Sequence, residues 1–199
     1  MSMLPQQQGK EGLFADVRRR YKKGQKLLFS RDSACLQPLL DDMSRQNHRT
    51  LILWAFDCAQ EALSCLEKSC PNDPRPREAM ALCRLWAQGS VKMPQARPAI
   101  LALHAMAKEV SCPVDAALCH AVGHACATVH THKHAIGLPL YELTAIVLQS
   151  DRTGFEQPVL SRISQYHLRL KYFEQQPQRG PWAAFLQDKE QMKQSGEKI

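Results

Sequence analysis

Apolar residues recur at intervals of three and four along nearly the whole chain, and no segment alternates apolar with polar residues cleanly enough to read as a strand. A chain patterned this way buries helix faces against helix faces. The expected class is therefore all-α, a compact multi-helix bundle with at least six helices. Proline or glycine stands at most of the breaks, and no fixed-period repeat is present, which points away from a solenoid.

The helices can be placed one by one. A first is expected over Leu13 to Phe29, weakened in its later part by Gly24. Asp32 or Ser33 is expected to cap a short second helix holding Leu36, Leu39, Leu40 and Met43. Asn47 caps the longest amphipathic stretch, which runs to about Ser69 with Leu51, Trp54, Cys58, Ala62 and Cys65 on its buried stripe until Pro71, Pro74 and Pro76 end it. Further helices are expected from Asp73 to Gly89, from near Pro94 to about Ser111, and from Pro113 to a break between Thr131 and Pro139. Two more run through Tyr141 to Gln149 and from Pro158 to about Glu174, followed by a short piece around Trp182 to Leu186.

At 199 residues the chain suits a single domain, able to bury roughly 70% of its unfolded surface without a metal or disulfide. Residues 1–11 and 188–199 read as flexible ends around a helical domain over 12–187. The longest run without a formal charge, Ala116 to His132, is interrupted by His120, His124, His130 and His132, so no membrane span is expected. The first residues lack a basic region followed by an apolar one, and a cytoplasmic location is expected.

The eight cysteines include no C-x-x-C pair. Cys58 and Cys65, and Cys112, Cys119 and Cys126, are spaced by two helical turns, as small packing residues would be, and all eight are expected to be reduced thiols. The net charge of +7 concentrates in Arg18 to Lys23 and recurs at Arg162, Arg169 and Lys171. Without a recognised motif beside it, this reads as a solvated face, and nucleic-acid binding is not expected. No nucleophile elbow, phosphate loop or dinucleotide fingerprint is present, so no catalytic residue and no cofactor is assigned.

The segment Gly123 to Gly137 carries four histidines among small apolar residues. Enclosed imidazoles need partners, so the segment is either a polar core network or a site. His120 and His124, and His130 and His134, are four apart, a spacing at which two imidazoles on one helix can reach one ion, although no H-E-x-x-H or nearby carboxylate completes a set. Asp57 lies in the apolar stretch Trp54 to Ala59 and needs a partner, for which Arg75, Arg77, Arg84 and Arg97 are the candidates. His104 reads as a core histidine. Asp57, one of Arg75, Arg77 and Arg97, and His104 or His124 are expected to meet in one hydrogen-bonded network.

These residues also carry a resemblance. Trp54-Ala55-x-Asp57-Cys58-Ala59, Pro71-x-Asp73-x-Arg75-Pro76-Arg77, Trp86-x-x-Gly89, Ala96-Arg97, Ala102-x-His104-Ala105 and Gly123-His124-Ala125-x-Ala127-Thr128-x-His130-x-x-x-His134-x-x-Gly137 resemble, in order and spacing, the immunity protein family of bacterial toxin systems, in the group with an immunity-five-like domain. The resemblance covers about residues 51–145. It implies an all-helical protein that binds and neutralises a cognate protein toxin without catalysis. The polar positions that recur in the family correspond here to Asp57, Arg75, Arg77, Arg97, His104, His124, Thr128, His130 and His134. The alternative is a metal-binding or enzymatic helical protein using the same His, Asp and Arg residues. A concave pocket on which they converge would favour that alternative, and burial would favour the binding module.

Overall fold

The computed structural model describes residues 12–150, 154–176 and 180–187, and the two terminal segments expected to be flexible lie outside the described residues. Among the described residues eight α-helices follow one another: α1 (Ala15–Lys22), α2 (Gln37–Ser44), α3 (His48–Ser69), α4 (Arg75–Ala87), α5 (Met93–Glu109), α6 (Pro113–Ala127), α7 (Gly137–Gln149) and α8 (Glu156–Gln175). Single 3-10 turns cover Ala34–Leu36, His132–His134 and Ala184–Leu186. Among the described residues there is no strand, and none of the helices is long and apolar enough to cross a membrane.

Local chemistry accounts for most of the boundaries. The Asn47 side chain accepts the Thr50 N–H at 2.9 Å and starts α3. Pro38, Pro76, Pro94 and Pro113 occupy first turns, where their missing N–H is not needed. Gly89, with φ of 83°, ends α4 where the chain must turn back; the Ala183 N–H then docks on the Ala87 carbonyl at 2.8 Å.

Two expectations at the N-terminal end are corrected. The first helix stops at Lys22 rather than Phe29, because Gly24 takes a left-handed φ of 65° and the chain leaves the helix there. The freed segment brings Leu28 and Phe29 into the core, and the Leu28 N–H finds Thr144 Oγ1 at 3.1 Å instead of a helical carbonyl. Ser33 does not cap α2 through its side chain; its hydroxyl donates to Asp16 at 2.5 Å and accepts the Ser30 N–H, tying α1 to the turn before α2.

Helix α6 is the hub. It packs along α7, α3, α5 and α4, and its residues Ala117, Ala121, Gly123, Ala125 and Ala127 allow close approach on several sides. Helix α8 closes the other side of α3, where Trp54, fully buried, stacks edge-on against Tyr166 and donates its indole N–H to the Tyr166 carbonyl at 3.0 Å. Trp86 is likewise buried, as the apolar stripes imply. All eight cysteines are free thiols; Cys35, Cys58, Cys83, Cys119 and Cys126 are buried and only Cys112 is exposed.

Candidate functional site

Four of the imidazoles gather where α5, α6, the His132–His134 turn and α7 meet. His104 of α5 and His120 of α6 face each other with their Nδ1 atoms 2.9 Å apart, so one ring donates a proton to the other. One turn further along α6, His124 sits edge-on to His104, with ring centroids 5.5 Å apart, and 5.6 Å from His134. Tyr141 of α7 lies against both α6 histidines, 4.8 Å from His120 and stacked on His124 at 5.3 Å. All five rings are half-buried.

Two glycines make this gathering possible. A Cβ on Gly123 would lie 2.7 Å from His104 Cε1, and one on Gly137 would lie 2.2 Å from His124 Cγ. Both positions therefore have to lack a side chain. His124 Nδ1 is buried against Gly137 without a hydrogen-bond partner, which is tolerable for a bare ring nitrogen and costly for an N–H. Burial pushes His104, His120 and His134 below the ordinary imidazole value and takes His124 down to about 4.

The pairing of His130 with His134 on one helix face is corrected. Helix α6 ends at Ala127, where the Thr128 hydroxyl and N–H both turn back to the His124 carbonyl, so His130 falls beyond the helix. It is exposed and stacks on Trp86 with 24° between the planes. His132 is exposed, as its neighbour Lys133 suggests, and contacts His48. Buried Thr128 offers its carbonyl to His48 Nε2–H at 2.6 Å and so joins the end of α6 to the start of α3. Among the described residues no group of three or more His, Cys, Asp or Glu side chains is arranged to hold a metal ion.

The single network expected around Asp57 is also corrected. Asp57 meets neither Arg75, Arg77 nor Arg97 but Arg169 of α8, whose fork makes two hydrogen bonds of 2.5 Å to its carboxylate while the guanidinium lies over Tyr172 and Phe173. Arg75 bridges Asp73 and Glu109, at 2.6 Å each, and so joins the loop before α4 to the end of α5. Arg77 pairs with Glu67. Arg84 lies over the Phe56 ring, and Arg97 is exposed. The loop bearing Asp73 and Arg75 lines an open surface cavity of about 610 Å³ with Ser69, Cys70, Pro71, Asn72 and Pro74.

One ionic cluster was not expected at all. Glu142 of α7, 4% exposed, accepts from Arg162 at 2.7 Å and from the Tyr166 hydroxyl at 2.5 Å, while Arg162 also reaches the Cys58 carbonyl and Glu61. Burial raises the Glu142 carboxyl above its usual range despite the nearby arginine, and raises the Tyr166 hydroxyl as well. The only sequence signal was a Glu and an Arg inside otherwise apolar helix faces.

Residues 41–169, from within α2 to near the end of α8, match the model of the family described as Imm-5 like putative immunity protein. The match spans more than half of the chain, and the chain belongs to this family. It reaches beyond the 51–145 span of the motifs and adds Arg162, Tyr166 and Arg169, the partners of Glu142 and Asp57. No curated protein and no solved structure matches the chain.

Proposed function

We propose that this protein is a non-enzymatic binding protein that neutralises a cognate protein toxin of a bacterial system by direct contact, acting in the cytoplasm through one helical domain over 12–187. The observation that carries this reading is the match to an immunity family across residues 41–169. The distribution of polar residues supports it. Asp57 on α3 and Arg75 and Arg77 on α4 are engaged in separate ion pairs, with Arg169, with Asp73 and Glu109, and with Glu67, and do not converge on one cavity. Charged side chains already held by neighbours lose less freedom when a partner docks on them. The net charge of +7 favours a partner with an acidic face, by steering the encounter.

The test is protection of cells. A toxin-like protein encoded beside this chain is induced with and without it, and the two are then purified together. Restored growth together with a stable complex supports the reading. A toxin that kills equally in both cases, with no complex formed between the purified proteins, refutes it.

A further inference from the structure

We propose that His104, His120, His124 and His134, packed with Tyr141, form a proton-operated latch at the joint of α5, α6 and α7, closed while the rings are neutral and opened by their protonation. The assignment rests on how the rings are held. The 2.9 Å Nδ1 to Nδ1 contact of His104 and His120 needs a proton on one nitrogen and a bare lone pair on the other, so it holds with both rings neutral or one charged, but not with both charged. His124 is wedged between Gly137 and the Tyr141 face with its Nδ1 unpartnered and buried, so a proton there has no acceptor. His134 lies against His124, and a charge on either ring acts on the other at a centroid separation of 5.6 Å.

The surroundings offer no relief to a charged ring. The charged groups felt at His120 are Lys108 of α5 and Lys26 of the loop after α1; those felt at His134 are His130 and Arg31, whose guanidinium donates to the Lys133 carbonyl. All are cationic or become so. On the far side of the turn, His48 and His132 are a further ring pair, with His48 Nε2–H engaged by the Thr128 carbonyl. Burial, the largest influence on each of the four rings, works in the same direction as these charges. The four residues are only partly buried, so protons reach the cluster without unfolding of the chain. When they charge, like-charge repulsion separates α7 and the His132–His134 turn from α5 and α6, and the joint that loosens includes α6 and α7, the most extensively contacting helix pair of the fold.

Hydrogen exchange of the full chain at about pH 7.5 and about pH 5, corrected for intrinsic rates, is read alongside an NMR titration of the histidine rings. The expected result is a loss of protection of about tenfold or more over residues 118–141 at the lower pH, tracking the ring titrations, with α2 and α8 unchanged. His120→Gln, which removes one titrating ring at a half-exposed position, is expected to shrink that loss. Rings that titrate without any loss of protection, or a loss spread equally over the whole chain, overturn the proposal. A His120→Gln protein that keeps the full loss also overturns it, and if that variant does not fold the two wild-type readings decide.

Discussion

Replacing Arg162 with methionine removes the charge that faces Glu142 in the interior. Glu142 is 4% exposed, and the Arg162 side chain is 12% exposed, so water cannot take over the lost interactions. The guanidinium serves three acceptors, Glu142, the Cys58 carbonyl and Glu61, and lies 4.9 Å from the Tyr166 ring, linking α8 to α7 and α3. After the substitution Glu142 keeps the Tyr166 hydroxyl alone. Leaving one buried partner uncompensated costs about 3 to 5 kcal/mol, a large share of a total stability of roughly 5 to 15 kcal/mol. For a chain of this size each kcal/mol moves the melting temperature by about 2 to 4 °C, so Tm should fall by roughly 6 to 20 °C. Calorimetry or far-ultraviolet circular dichroism on heating measures it. The double variant Glu142→Leu, Arg162→Met should recover most of the loss, because an apolar pair of similar volume replaces the buried ions at little net cost. An Arg162→Met protein that melts with the parent would refute the reasoning, since the pair could then not be buried and coupled as described.

Other outcomes follow from the same geometry. Asp57→Ala should cost under about 1 kcal/mol, because Asp57 and Arg169 are 33% and 41% exposed and water screens the pair; a melting loss as large as that of Arg162→Met would contradict this. Gly137→Ala drives a methyl into the base of the His124 ring and should destabilise by about 1 to 3 kcal/mol, with much of it returned by a second change, His124→Ala, in a double-mutant cycle. Stability should be full above about pH 6.5 and fall as pH drops towards 4, because the unfolded chain binds a proton at His124 that the folded one refuses; a shift from 6.5 to about 4 amounts to about 3 kcal/mol, measurable by urea denaturation across that range. Titration of thiols without reductant should find eight in denaturant, while the native protein reacts first at exposed Cys112 and slowest at the buried Cys35, Cys58, Cys119 and Cys126, whose thiols are all held well above the ordinary thiol range.

The parts of the fold legible in the sequence are those decided within a few residues. Asn47 with Thr50, Pro113 at the start of α6 and Gly89 at the end of α4 act through a single turn of backbone, and each falls where the local pattern places it. Gly24 shows where local reading stops. Its cost within a helix was visible, but the alternative that outweighs continued helix is a distant acceptor, Thr144, 116 positions along from Leu28. The site divides in the same way. That Asp57 needs an arginine could be read from its apolar neighbours, whereas the choice of Arg169, 112 positions away, depends on α8 lying across α3. His104 finds its partner in His120 across two helices, and His130 leaves the cluster because α6 ends at Ala127, a boundary the small residues of that segment leave open.

The central claim, neutralisation by contact rather than by chemistry, is tested most directly by titrating the purified chain into a fixed amount of the toxin encoded beside it and measuring the toxin activity that remains. The account predicts that inhibition rises linearly and saturates at one fixed stoichiometric ratio, with the toxin recovered chemically unchanged and active after the complex is dissociated. Complete inhibition by a small fraction of an equivalent, with lasting modification of the toxin, would mean catalytic turnover and contradict it.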